Sequence, residues 1–327
     1  MRRSRFLSAG AVSVAAALLG VSGCSKSATP SDDSSPSPTP TPSTTTPPPP
    51  TGGTVKVSGP FGKQPTVKVP KPFAVDKTKV HVIRRGDGAT VKRDDLVKVD
   101  YVGIDGASNK VFDSSWKANR QAVFELTQGA LIPGFLTGLV GQKVGSRVEI
   151  EIPPDQGYGP NGLPQAGIGG TDTLVFVIDL HESMRPLTKI SGKQRKPAPG
   201  FPAVKMSKGL PTALAPDPAT VGKPRSDVLI TGTGPKVKQG QTIKFTYLAA
   251  VLKTGRPFDR TYGQQAVTIG LDDNLAIAGM ADQIVGKHVG SRVEMLLPKA
   301  LANVSQLPNG VKKNDTIVFV LDILGAL

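Results

Sequence analysis

The sequence predicts an α+β protein made of two copies of one domain, each a mostly antiparallel sheet wrapped around one short amphipathic helix. Three observations predict it. First, the 327-residue chain repeats itself: GQKVGSRVEIEIP (141–153) returns as GKHVGSRVEMLLP (286–298), TLVFVIDL (173–180) as TIVFVLDI (316–323), and VKVDYVG (97–103) as IKFTYLA (243–249). The separation stays nearly constant and is the size of a domain, not the shorter period of a solenoid. Second, apolar residues alternate or run together in LVKVDYVG, RVEIEIP and LVFVIDL, as half-buried or fully buried strands require. Third, IPGFLTGLVG (132–141) spaces Ile132, Phe135, Leu136 and Leu139 as one helix face, with Pro133 in the first turn and Gly141 past the end.

Taken from the N-terminus, MRRSR is a positive leader and FLSAGAVSVAAALLG a short apolar stretch of small residues, the pattern of an export signal. The run is short for spanning a bilayer. VSGC (21–24) follows and resembles the lipobox of bacterial lipoproteins, whose cysteine is acylated and becomes the mature N-terminus. Cys24 is the only cysteine in the chain, which excludes an intrachain disulfide and a thiolate metal cluster. Two or three acyl chains on it would anchor the protein firmly. Residues 1–23 therefore read as signal peptide and 24–53 as a tether. The tether's Pro, Ser and Thr have almost no apolar surface to bury, favour extended polyproline II, and reach roughly 60–90 Å. The first domain is expected over 54–190, a Lys/Pro/Gly-rich linker over 191–198, and the second domain over 199–327. Each copy is expected to start with an extended strand, since PGFPAVKM (199–206) loosely echoes GKQPTVKV (62–69).

Composition narrows the function. The net charge is +15 and the pI about 9.9, but Lys and Arg are scattered and aromatics make up only 5%. Without interleaved aromatic platforms this balance suits an anionic lipid or wall surface, not nucleic acid. Three histidines, His81, His181 and His288, lie far apart in sequence, and no metal site or other cofactor is expected. No Ser-His-Asp grouping, H-E-x-x-H or P-loop is readable, and GIGG (167–170) is too little for a dinucleotide fingerprint.

The first copy carries instead GDG (86–88), VDYVG, VFDSSW (111–116), LIPGF (131–135), VGSRVEIEIP, YGPNGLP (158–164) and TLVFVIDL, in one order over about 100 residues. Singly, its Phe and Ile residues read as core, its Tyr as surface and Asp113 as a turn residue. Together they resemble the FKBP-type peptidyl-prolyl isomerases. The resemblance implies a half-barrel sheet whose concave face and short helix form a proline pocket of Tyr101, Phe112, Asp113, Leu131, Ile132, Phe135, Tyr158, Ile168 and Phe176, with Trp116 at the rim or in packing. It further implies that Ile132 N–H and Tyr158 hydroxyl hold substrate carbonyls, and that Asp113 pins Tyr101. Phe135 stands where most family members have Trp, Ala118 and Ala122 where Arg and Phe are frequent, and Leu163 where His is frequent. One pocket wall is thus expected to be thin.

The second copy keeps Tyr247, Phe258, Asp259, Ile277 and Phe319, but has Met280 for Phe135 and Ala276 for Leu131. Its loop before TIVF is two residues shorter, with Asn303 nearest the place of Tyr158. It is expected to fold alike and isomerise poorly or not at all. The expected whole is an exported, lipid-anchored peptidyl-prolyl isomerase on the outer face of the cell membrane, acting on proline-containing unfolded or secreted polypeptides. Macrolide inhibitors of the FKBP class are the small ligands the resemblance implies. The alternative is a non-catalytic polypeptide-binding chaperone of the cell surface.

Overall fold

The computed structural model describes residues 49–51, 53–271, 277–301, 304 and 306–327. The expected signal peptide, Cys24, nearly all of the tether, Ala276 and Asn303 lie outside the described residues.

In the first domain, β1 (Lys56–Ser58) and β2 (Thr66–Lys68) form a hairpin. The main sheet follows: β3 (Lys79–Arg84), β4 (Leu96–Asp105), β5 (Val111–Ser114), β6 (Ala122–Glu125), β7 (Arg147–Ile152) and β8 (Leu174–Met184), in the order β3-β7-β8-β4-β5 with β6 also on β4. The strand reading of LVKVDYVG, RVEIEIP and LVFVIDL holds. The helix falls where its spacing predicts, as α2 (Pro133–Leu139), with Ile132 at the N-cap and Pro133 in the first turn. A four-residue helix, α1 (Ser115–Ala118), adds to the single helix expected, because the Ser114 hydroxyl caps it and Asn119 closes it in the left-handed region.

The helix α2 lies close on β7. A Cβ on Gly138 would stand 2.3 Å from the Ile150 side chain, and one on Gly134 2.5 Å from that of Ile152. Only glycine permits this approach, and it presses Phe135 and Leu139, both buried, onto the inner face of the sheet. Alternation along β7 then sends Arg147, Glu149 and Glu151 to the opposite face. Yet all six β7 residues are buried, because that outer face is also covered. Val55, Val69, Phe73 and Val75 from the N-terminal segment pack there against Val102, Ile104, Val175 and Val177.

The repeated GSR motif gains its physical reason here. Arg147 makes a bidentate pair with Asp179 (Nε–Oδ1 2.6 Å, Nη2–Oδ2 2.8 Å), both fully buried. Its remaining donors reach the carbonyls of Gly59 and Lys63 at 2.7 Å, while Gly62 N–H donates to Asp179 Oδ2 at 2.6 Å. The pair thus ties the β1–β2 loop to the sheet.

The second domain repeats the plan. A hairpin of β9 (Val204–Ser207) and β10 (Leu210–Leu214) precedes β11 (Arg225–Ile230), β12 (Thr242–Val251), β13 (Pro257–Arg260), β14 (Val267–Gly270), α3 (Met280–Ile284), β15 (Arg292–Pro298) and β16 (Thr316–Ala326). Sheet order is β11-β15-β16-β12-β13, with β14 on β12. Arg292 pairs with Asp322 at 2.7 and 2.8 Å, as Arg147 does with Asp179. The expected shared initial strand is corrected: the echo falls on the second strand of one hairpin, β2, and on the first strand of the other, β9.

Candidate active site

The site is built on β4 and closed by α2 and the loop between β7 and β8. Tyr101 points to the inner face from the middle of β4. Its N–H donates to Ser115 Oγ at 2.9 Å, and Ser115 Oγ donates to Asp100 at 2.8 Å, which holds the start of α1 against β4. Asp113 lies directly across the ladder from Gly103, and its carboxylate accepts a hydrogen bond from the Tyr101 hydroxyl.

The rings meet beside this bond. Phe176 stands edge-on to Phe112 at 5.5 Å and to Phe135 at 4.6 Å between centroids, and Tyr101 is 6.4 Å from Phe176. Gly103 makes this possible: a Cβ there would lie 2.7 Å from Phe112 Cζ and 2.7 Å from Phe176 Cε1. Tyr101, Phe135 and Phe176 are buried, while Phe112 and Asp113 remain half-exposed at the edge.

The sequence reading missed one member. Phe124 on β6 stacks on Phe135 at 5.2 Å and tilts against Tyr101 at 5.3 Å. The alternation Ala122, Phe124, Leu126 could have found it, since Phe124 and Leu126 are both buried. Small residues at 118 and 122 therefore do not leave this side of the cluster without an aromatic ring.

Tyr158 is half-buried in the β7–β8 loop. Burial first, then the negative charge of Asp113, pushes its hydroxyl up to about 12. Tyr101 is raised well above the ordinary tyrosine value, chiefly by burial and then by the bond to Asp113, with smaller contributions from the charges of Asp113 and Tyr158. Both phenols therefore stay protonated at neutral pH and act as donors. Ile132 is buried at the N-cap of α2, and its carbonyl accepts from Phe135 N–H at 3.0 Å. Leu131 beside it is half-buried, and Ile168 is buried and bridges to Leu163 within the loop. Trp116 goes elsewhere: it packs against the outer-face cluster of Val55, Phe73 and Val102, away from the rings. Its position on α1 just past β5 directs it to the covered face, so of the two places expected for Trp116, rim or packing, it takes the packing one, away from a substrate-binding role.

In the second domain the frame survives and the lining changes. Tyr247 donates to Asp259 at 2.5 Å, and Tyr247 N–H to Thr261 Oγ1 at 2.9 Å. Ala249 lies across from Asp259 where the first domain has Gly103. Ile269 takes the place of Phe124 on the matching strand, and Met280 that of Phe135. Tyr247, Ile277, Met280 and Phe319 join one continuous apolar core, with Phe258 packed against it.

Fold and site together define an α+β domain, present twice, in which a sheet packs on a short helix and a tyrosine–aspartate hydrogen bond edges the packed side chains, aromatic in the first copy. Residues 88–181 and 234–324 match the family of FKBP-type peptidyl-prolyl cis-trans isomerases, so the chain belongs to that family and is a peptidyl-prolyl isomerase. Among its relatives, a probable FK506-binding protein of Corynebacterium glutamicum is 37% identical over 118 residues, 36% of this chain and 97% of that protein. An FK506-binding protein of Streptomyces anulatus is 38% identical over 98 residues, 30% of this chain and 79% of the other. The outer membrane protein MIP of Legionella longbeachae is 40% identical over 101 residues, 30% of this chain and 41% of its own.

Proposed function

We propose that the first domain is the catalytic one and that it isomerises X-Pro bonds in unfolded or secreted polypeptides outside the cell. The observation that carries this reading is the unbroken ring cluster Phe112, Phe176, Phe135, Phe124 and Tyr101, edged by the Tyr101–Asp113 bond.

The prolyl amide rotates against a barrier of about 18–20 kcal/mol that comes from C–N resonance. Resonance separates charge, so water favours the planar ground state over the twisted one. A ring-lined, water-poor cleft removes that preference and binds the twisted amide better. A thousandfold acceleration needs only about 4 kcal/mol. The Ile132 N–H and the Tyr158 hydroxyl hold substrate carbonyls on either side of the bond, and the raised pKa keeps Tyr158 a donor. Asp113 holds the Tyr101 ring as a positioning residue and takes no proton. Leu131 and Ile168 complete the apolar lining.

The second domain, by this reading, does not catalyse, because Ala249, Ile269 and Met280 stand where Gly103, Phe124 and Phe135 line the first. The names of two relatives support macrolide binding by the first domain's pocket. The leader, the VSGC lipobox and the Pro/Ser/Thr stretch support export and lipid anchoring at Cys24, and the name of the outer membrane protein MIP supports export.

The test uses the full chain and a short proline peptide. Asp113→Val is expected to lower kcat/KM at least about tenfold, a loss near 1.4 kcal/mol of transition-state stabilisation, with circular dichroism unchanged. An undiminished rate would remove Asp113 and the first-domain pocket from the mechanism. For the anchor, labelled palmitate is expected to enter the wild-type protein in a bacterial host and not Cys24→Ala. Equal labelling of both would exclude acylation at Cys24.

A further inference from the structure

We propose that His81, Glu149 and Glu151 form a binding site for a divalent first-row transition ion of the zinc class, on the outer face of the first domain's sheet. The register of two strands creates it. His81 on β3 lies directly opposite Glu149 on β7, and Lys79 opposite Glu151. With period-2 alternation, both glutamates and the imidazole share one face. One ring nitrogen and one oxygen from each carboxylate all fall within 4.8 Å of one another.

The carboxylates are not ordinary surface charges. Glu149 is 2% exposed and Glu151 4%. Glu149 Oε1 is buried without a hydrogen-bond partner. Two adjacent buried carboxylates are costly unless something cationic compensates them. The basic groups at hand are Lys79, whose Nζ is 3.8 Å from Glu151 Oε2, and His81, whose Nε2 is 3.8 Å from Glu151 Oε1. Both distances exceed a hydrogen bond, and both side chains are about half exposed.

Geometry and donor chemistry suit zinc. Ligands bound at about 2.0–2.1 Å in a tetrahedron stand roughly 3.3 Å apart. The exposed His81 ring can close the remaining gap to Glu151 and leave the fourth position to water. Lys79 sits on the other oxygen of Glu151 and need not leave. An imidazole with two carboxylates favours zinc over magnesium, which prefers all-oxygen octahedra. The second domain lacks the set: Glu294 faces Asp227, which Arg195 binds, and Leu296 takes the place of Glu151. The ion would clip the outermost strand β3 to β7 and neutralise the buried pair.

The experiment is calorimetric titration of the metal-stripped full chain with zinc chloride, with thermal melting in parallel. One strong zinc equivalent per chain is expected, along with a higher melting temperature. His81→Ala and Glu149→Gln should each weaken binding about tenfold or more and abolish the zinc-dependent rise, while His288→Ala leaves both intact. His81 is exposed, so its replacement does not threaten folding. No saturable binding would overturn the site and leave Glu149 a buried neutral acid, its carboxyl pushed up to about 8 by burial and by Glu151. Binding that survives His81→Ala would equally overturn it.

Discussion

Replacing Asp179 with alanine is expected to destabilise the first domain by about 3–5 kcal/mol, since it strands a buried guanidinium without its counter-charge. Arg147 is 1% exposed and Asp179 0%, so water cannot take over. The loss does not stop at the pair. Gly62 N–H loses its acceptor, and the Arg147 that orders the carbonyls of Gly59 and Lys63 is no longer held. The β1–β2 hairpin should therefore loosen with the sheet. Melting is expected to fall by on the order of 10–20 °C. The double variant Arg147→Met with Asp179→Leu should recover part of this, because an apolar pair of similar volume leaves no buried charge. A drop of less than about 1 kcal/mol for Asp179→Ala would mean that the pair is not the tie described.

Replacing Gly103 with alanine is expected to lower the isomerase kcat/KM of the full chain about a hundredfold, or about 2.7 kcal/mol. The added methyl would lie 2.7 Å from both Phe112 and Phe176, a contact that close-packed rings cannot absorb without moving. Phe112 is half-exposed at the edge of the ring cluster and can move outward, so the fold should survive while the edge-on pair with Phe176 is lost. The second domain has this alanine naturally, at Ala249. The same experiment therefore tests whether this alanine accounts for the proposed difference between the two copies. Met280→Ala in the second domain is expected to leave the rate unchanged. If Gly103→Ala retained full activity, or Met280→Ala reduced it, the division of labour would fail.

Much of this was legible in the chain. Alternation found β4 and β7, and an unbroken apolar run found β8, because the burial of each face of a strand is written at every second residue. Spacing with Pro133 and Gly141 found α2 from an equally local pattern. The pocket edge Phe112–Asp113 and its partner Tyr101 came from motif order. Phe124 escaped although its alternation with Leu126 marks it as inward-facing, because nothing local says which ring it will stack upon. Trp116 stayed open between rim and packing because a residue just past a strand can turn to either face, and only the covering segment decides which is buried.

The chain by itself determined the duplication, the strand and helix periodicities, and the decay from Phe135 to Met280, all properties of neighbours along the backbone or of aligned copies. The tertiary structure alone decided that Gly103 must lack a side chain, that GSR carries a buried ion pair, and that His81 meets Glu149 and Glu151 across two strands. Those facts depend on register and on which face is covered. Such contacts join residues distant in sequence, and only the folded sheet brings them within reach.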